Sequence, residues 1–215
     1  MVRKKFDLSL IPPSPDLTFE KTLWQQGLTL VTGIDEAGRG ALCGPVAAGV
    51  VILPSAMDDL PDMLNQVRDS KQMSPKIRVQ NAILIKSLAL SWAVGFAEAG
   101  EIDELGIAQA TRLAVVRGIN TLMLHPQHLL IDYIRLPEVP LPQTSLVKGD
   151  QRSLSIACAS VLAKTTRDEL MVQYDQQYPG YGFAQHKGYG TKQHFNAIRK
   201  LGICHIHRNS FAPFK

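Results

Sequence analysis

The chain has 215 residues, 45% of them apolar and 20% charged, the balance of an ordinary globular protein with room for one compact domain and a substantial core. No apolar run approaches the roughly 18 residues a helix needs to span a bilayer, which excludes a membrane-spanning helix. The net charge of +4 is uneven: residues 145–215 carry +6 and residues 1–144 carry −2, and a basic C-terminal third with four of the six histidines suits a polyanionic partner.

Residues 1–27 read as an N-terminal arm. It starts basic, but acid and proline interrupt it before an apolar core forms, so no signal peptide is expected. IPPSPD is a proline-rich turn or extended linker, and TFEKTLWQQGL is a short helix stopped by Gly27. The core domain, residues 28–215, opens on LTLVTGID, a strand rich in Leu, Val and Thr. GPVAAGVVILP is a second strand, and a polar loop follows. Ser74-Pro75 then starts a helix, with serine at the N-cap and proline at N1. That helix runs through Lys86, with Ile77, Ala82, Ile83 and Ile85 among its apolar positions. LALSWAVGFAEAG is a third strand, EIDELGIAQATRLAVVRGINTL one or two helices, QHLLIDYI a fourth strand and TSLVKGD a fifth. A long helix from Gln151 and a shorter one stopped at Gly202 close the chain. Strands in succession, then strands alternating with helices, imply an α/β domain with a mixed five-stranded sheet flanked by helices and extra C-terminal helices.

Cys43, Cys158 and Cys204 are odd in number, widely separated and form no CxxC. This argues against a disulfide framework or a zinc knuckle and for a reducing cytoplasm. Each reads as a small buried apolar residue. His205 and His207 flank Ile206 and are expected to share a strand face, as packing or surface groups, because no third ligand has matching spacing.

Four acids stand where apolar strands stop: Asp35 and Glu36 after the first, Asp132 in the fourth, Asp150 after the fifth. Strand ends are where α/β sheets build sites. Gathering carboxylates costs several kcal/mol per charge unless something compensates, and an oxygen-only donor set selects a hard cation, Mg²⁺ or Mn²⁺. Two such ions about 4 Å apart suit phosphodiester hydrolysis, one favouring the attacking water and one the leaving oxygen. No GxSxG or paired Cys-His supplies a side-chain nucleophile. A lone Asp at a strand end is most often a turn or cap residue, and Asp150 reads equally well as the N-cap of the helix after it. Gly38 and Gly40 let a ligand approach the backbone, and Arg39 between them suits a phosphate. A tight turn with a surface arginine is the other reading.

The blocks GIDEAGRGALCGPV (33–46), DSKQMSP (69–75), KGDQRSLSIACASVLAKTTRD (148–168), HKGYGTKQH (186–194) and HRNSF (207–211) occur in the order found in ribonuclease HII, the bacterial type 2 ribonuclease H, and the chain resembles that family from Gly33 to Phe211. The resemblance implies a ribonuclease H-like fold and an endonuclease that hydrolyses the RNA strand of RNA–DNA hybrids. It implies cutting at single ribonucleotides in duplex DNA, leaving 5′-phosphate and 3′-hydroxyl ends, with Mn²⁺ or Mg²⁺ as cofactor and two-metal catalysis. Asp35, Glu36, Asp132 and Asp150 match the family's metal-site acids. Gly38, Arg39 and Gly40 match the motif that senses the ribose 2′-hydroxyl, Tyr189 the tyrosine at the substrate junction, and Lys71 a phosphate contact. Where the family usually has Asp-Gly after the fourth strand, this chain has Asp132-Tyr133, and the bulky side chain is expected to narrow the site mouth. Lys187, Lys192, Arg199, Lys200 and Arg208 are expected to hold the duplex backbone without reading sequence. The protein is expected to act as a monomer in the cytoplasm, with no membrane partner. Ribonuclease HIII, a sibling family, typically carries an extra N-terminal domain for which the arm is too short. A catalytically idle hybrid-binding module is the alternative from another class.

Overall fold

The structure, a computed structural model, describes residues 6–214. The basic first five residues of the expected arm lie outside the described residues. Five strands form one mixed sheet: β1 (Val31–Ala37), β2 (Val46–Ile52), β3 (Ser91–Ala97), β4 (His128–Asp132) and β5 (Gln143–Leu146), in the order β3-β2-β1-β4-β5. β1 and β2 pair antiparallel, as do β2 and β3. β1 and β4 pair parallel, as do β4 and β5.

The helices are α1 (Thr18–Trp24), α2 (Leu60–Met63), α3 (Pro75–Leu88), α4 (Ala99–Leu105), α5 (Ile107–Thr121), α6 (Leu154–Gln177), α7 (Phe183–His186) and α8 (Lys192–Leu201). Every residue of β2 is buried, as expected of a strand covered on both faces. On one face Val50 and Ile52 meet Ala110 and Ala114 of α5. On the other, Val51 meets Ala157, Cys158 and Val161 of α6. α6 lies close to the sheet because Gly33 and Gly49 face it. A Cβ on Gly33 would stand 2.1 Å from the Ser155 carbonyl carbon, and one on Gly49 2.2 Å from the Ala159 oxygen.

Several boundaries differ from the sequence reading. β1 begins at Val31 rather than Leu28, because the Leu30 N–H is taken by the Gln127 side chain at 2.9 Å. It also continues through Glu36 and Ala37, registered against Ala48 and Ala47. β5 stops at Leu146, since Lys148 turns into the left-handed region (φ 55°) and a 3-10 turn follows at Gly149–Gln151. The segment after β3, read as one or two helices, forms two, divided at Gly106, where φ is 76°. Ser74 caps α3 as read, accepting from Ile77 N. Its buried face, however, is Arg78, Asn81, Ala82 and Ile85, while Ile77 and Ile83 face outward. Positions 78, 81, 82 and 85 form one helical stripe. The apolar residues at 77 and 83 lie off it.

Residues 16–24 pack against the core. Phe19, Leu23 and Trp24 lie on Val31, Leu130, Leu146 and Ile156, and Asp16 bridges to Ser153. Glu20 of α1 is fully buried and accepts from Ser153 Oγ (2.6 Å), Ser155 N (2.9 Å) and Ser155 Oγ (2.6 Å). It thereby joins Ser153, the N-cap, in satisfying the first turn of α6.

Candidate active site

The sheet order leaves an opening at one place. β1 pairs with β4 only from Val31↔His128 to Ile34↔Ile131, so beyond Ile34 the side of β1 facing β4 has no strand partner. Asp35 and Glu36 occupy that stretch, and Asp132 ends the neighbouring strand. This is the crevice outside the carboxyl ends of parallel strands, where open α/β sheets bind ligands.

Asp35 is buried, and Glu36 N donates to its Oδ1 at 2.8 Å. Burial raises its pKa well above the usual carboxylate range, and the Glu36, Asp132 and Asp150 charges raise it further. Asp132 accepts from Gly149 N at 2.7 Å, which fixes the turn carrying Asp150 beside it. Asp132 is raised by burial and by Glu36. Asp150 is pushed up to about 6 by burial, with Asp132 and Asp69 adding to the effect. It lies in the 3-10 turn, and the cap of α6 is Ser153. The four acids predicted from sequence are therefore brought together, each close enough to feel another's charge.

Beside them is a cavity of about 380 Å³ lined by Glu36, the Gly38–Gly40 turn, Lys71 and Tyr189. Gly38 has φ 87°, and a Cβ there would meet the Arg167 side chain at 2.0 Å, so only glycine fits. Gly40 faces open space and leaves the backbone accessible from the cavity. Arg39 Nη1 pairs with Glu36 Oε1 at 3.0 Å, with 40% of its side chain exposed. Burial would lower the Lys71 pKa, but the Asp69, Asp35 and Asp150 charges outweigh it and hold it up. Tyr189 presents its ring to the Lys164 and Arg167 cations, at 5.5 and 5.6 Å. A second cavity, of about 410 Å³, shares Lys164 and Tyr189 with the first and adds Arg78 and Lys187.

Tyr133 keeps a backbone conformation that suits glycine, with φ 58°, at a strain cost of roughly 1–2 kcal/mol. Its side chain is 66% exposed and does not line the cavity beside the acids.

Two expectations are corrected. Arg208 does not face a duplex. It is fully buried and donates to Gly44 O (3.0 and 2.8 Å) and Arg39 O (2.9 Å), satisfying carbonyls of the loop behind the glycine turn. His205 and His207 share no strand face. They lie in a turn, with His205 exposed and His207 buried against Cys43.

Sequence reasoning missed several residues. Arg167, fully buried, donates to Pro45 O, Lys187 O and Cys43 O, and with Arg208 it fixes the loop around Gly38–Gly44. Ser160 and Lys164 of α6 both line the cavity, and Ser160 favours the ionised form of Asp35. Their i, i+4 spacing on one helix face was the available signal. Arg78 donates to Ser70 O (2.8 Å) and Met73 O (2.9 Å), holding the loop that carries Lys71.

The ribonuclease HII family model matches residues 32–214. A ribonuclease HII from Dehalococcoides mccartyi is 48% identical over 94% of this chain and 94% of its own. One from a Synechococcus species is 50% identical over 94% and 90%. Among solved structures, the ribonuclease HII in a PCNA complex from Archaeoglobus fulgidus superposes with a TM-score of 0.71 at 23% identity, over 86% of this chain and 95% of that one. Bst-RNase HIII in complex with Mn²⁺ superposes with a TM-score of 0.63 at 17% identity, over 89% and 70%. The last two likenesses concern the fold.

Proposed function

Since the chain belongs to the ribonuclease HII family, and so is an endoribonuclease with ribonuclease H activity, we propose that it also cuts at single ribonucleotides embedded in duplex DNA, leaving 5′-phosphate and 3′-hydroxyl ends. The observation that carries this reading is the junction of the acid cluster with a glycine-bounded cavity that ends at Tyr189. Only the 2′-hydroxyl distinguishes a ribonucleotide from its neighbours, and recognising one such group needs backbone at close range. Gly38, Arg39 and Gly40 supply that backbone. Tyr189 packs on the adjoining deoxyribose, where a further hydroxyl would clash. Lys71 holds a phosphate, and the Glu36–Arg39 pair sets the side chain nearest the turn.

Metal dependence is general in the family, and the donor set here fits a hard divalent cation. It consists of oxygen ligands only, and burial together with the neighbouring carboxylate charges raises the pKa of Asp35, Asp132 and Asp150, a repulsion that a divalent cation relieves. Asp35, Glu36, Asp132 and Asp150 would hold Mn²⁺ or Mg²⁺, as a pair in the two-metal reading. When bound, these ions supply charge neutralisation at the scissile phosphate and an activated water. The reading has the protein act on nucleic acid in the cytoplasm as a monomer, and among the described residues no helix is long and apolar enough to cross a membrane.

The test compares three duplexes, with one embedded ribonucleotide, with a continuous RNA strand and with DNA alone, each in Mg²⁺ and in Mn²⁺. Cleavage of the first two and not the third is expected. Asp35→Asn should lower cleavage of both by about a thousandfold or more, several kcal/mol of barrier, while duplex binding persists. Full activity in that variant would remove Asp35 from the site, and an intact single-ribonucleotide duplex beside a cut hybrid would remove the finer specificity.

A further inference from the structure

Behind the glycine turn, on the far side of Tyr189, three side chains from distant parts of the chain converge in the interior. Cys43 Sγ, His194 Nε2 and His207 Nε2 all lie within 4.8 Å of one another, and all three residues are buried. The two imidazole nitrogens are 3.2 Å apart, and Cys43 Sγ is 4.0 Å from His194 Nε2. The reaction described above uses none of these atoms.

The geometry points to a second metal site, in which Cys43, His194 and His207 bind one thiophilic d¹⁰ cation, Cu⁺ in preference to Zn²⁺. A thiolate with two imidazoles is a soft donor set, opposite in kind to the oxygen-only acids. In a trigonal shell, metal–nitrogen bonds of about 2.0 Å and a metal–sulfur bond of about 2.3 Å put the nitrogens about 3.5 Å apart and the sulfur about 3.7 Å from each. The nitrogens, 3.2 Å apart, need to part by only about 0.3 Å. Cys43 Sγ, 4.0 Å from His194 Nε2 and within 4.8 Å of the His207 donor, must close by up to about 1 Å, and it has room to shift because the residue beside it is Gly188. A Cβ on Gly188 would stand 2.8 Å from the sulfur.

The surroundings orient the donors. His194 Nδ1 donates to Tyr189 O at 3.0 Å, which leaves its Nε2 lone pair aimed at His207. Such an outer carbonyl partner is usual for a metal-binding histidine. Burial drives the His194 pKa down to about 4 and lowers that of His207, so both rings are neutral and able to ligate at neutral pH. Without metal, His207 Nδ1 accepts from Cys204 N at 2.9 Å and its Nε2–H donates to His194. A proton then sits between the two nitrogens where the ion would lie. On binding, the Cys43 S–H bond is exchanged for an S–metal bond and its proton leaves to solvent. The His207 proton moves from Nε2 to Nδ1, which gives up the hydrogen bond it accepted from Cys204 N and donates instead to Cys204 O, 3.2 Å away.

Charge selects the ion. Burial pushes the Cys43 thiol up to about 12, and the buried Arg167 and Arg208 charges act against that, favouring the thiolate. A thiolate with Cu⁺ is neutral beside them. With Zn²⁺ it keeps a positive charge next to two buried guanidiniums, which is costly. Three donors also complete a trigonal Cu⁺ shell, whereas zinc takes a fourth.

The experiment titrates the reduced, chelator-stripped protein with Cu⁺ held by bicinchoninate, without oxygen, and follows the loss of chelator colour. Withdrawal of about one equivalent is expected, weakened about a hundredfold in Cys43→Ala and unchanged in Cys158→Ala and Asp35→Asn. X-ray absorption of the loaded wild type should show one sulfur and two nitrogen neighbours, a readout that needs no variant to fold. No withdrawal from bicinchoninate, equal withdrawal by Cys43→Ala, an all-oxygen or two-sulfur shell, or Zn²⁺ displacing Cu⁺ at equal concentration would each overturn the assignment.

Discussion

Arg39 has two claimants for its charge, Glu36 within the protein and a phosphate of the substrate. In the free protein Glu36 holds it at 3.0 Å with a large part of the side chain in solvent, a pair worth little in water and easily exchanged. Arg39→Ala should therefore lower cleavage at a single embedded ribonucleotide about tenfold, the scale of one charge-assisted hydrogen bond, and leave affinity for plain duplex DNA nearly unchanged. Steady-state kinetics on the ribonucleotide duplex beside DNA-binding isotherms reads this out, and an equal loss on both would assign Arg39 to general phosphate binding. At this scale the sequence was informative where a residue type is improbable for its setting. Two adjacent acids at the end of an apolar strand, or an Asp between Ile131 and Tyr133, stand out because burying them is costly. Arg208 reads from sequence as a contact to the duplex backbone, and Arg167 carries no local signal. Their role depends on carbonyls at Cys43, Gly44, Pro45 and Arg39 that lie more than a hundred residues away, and no local pattern announces such a partner. Nor does a local pattern announce His194, 13 residues before His207, and Cys43 as its neighbours.

The first helix shows how an apparently peripheral segment carries part of the core. α1 places Glu20 at the start of α6, the helix that bears Ser160 and Lys164 and follows the turn holding Asp150. Burial raises the Glu20 pKa, and its hydrogen bonds from Ser153 and Ser155 offset this only in part. A carboxyl whose folded pKa exceeds the unfolded one keeps its proton longer when folded. Its contribution is thus most favourable below the unfolded value, about 4.3, and is lost as pH rises through the folded value. Glu20→Gln keeps an accepting oxygen and removes the charge. It should melt higher than wild type near pH 7 and together with it near pH 4, whereas Glu20→Ala should cost about 1–3 kcal/mol at either pH by leaving Ser155 N unpaired. Thermal melts across that range check both, and a Gln variant that melts below wild type at neutral pH would mean the ionised carboxylate is the form the cap requires. TFEKTLW was readable as a helix from its composition, but the arm's attachment was not. A single buried glutamate on a short helix has the same local sequence as an exposed one. Element types elsewhere followed from periodicity, while ends moved where a hydrogen bond from a distant residue intervened, as Gln127 does at the start of β1.

For the whole molecule, the site exists because β1 outruns its pairing with β4; the register that opens this gap is a long-range property that strand composition does not encode. Charge has a similar lesson. The +6 of the C-terminal third overstates the positive surface, since Arg167 and Arg208 lie inside. The cations that line the two adjoining cavities are Arg39, Lys71, Arg78, Lys164 and Lys187, drawn from three separate regions of the chain, and Arg78 is already committed to Ser70 and Met73 carbonyls. Arg39, Lys71, Lys164 and Lys187 remain to meet phosphates, Arg39 by leaving Glu36, Lys164 by leaving Asp168 at 2.7 Å and Lys187 by leaving the Ala184 carbonyl, a modest electrostatic footprint: log affinity for an RNA–DNA hybrid should fall with log salt with a slope of about −3 to −4. Lys71→Ala should flatten that slope by about 1. Arg208→Lys should leave the slope unchanged and lower the melting temperature, because an ammonium cannot fork between Gly44 O and Arg39 O. Fluorescence anisotropy of a labelled hybrid over a range of KCl concentrations, in an Asp35→Asn background so that the strand stays intact, measures the slopes directly. An unchanged slope in Lys71→Ala would remove that lysine from the phosphate contacts, and a flattened one in Arg208→Lys would mean that the internal arginine reaches the duplex after all.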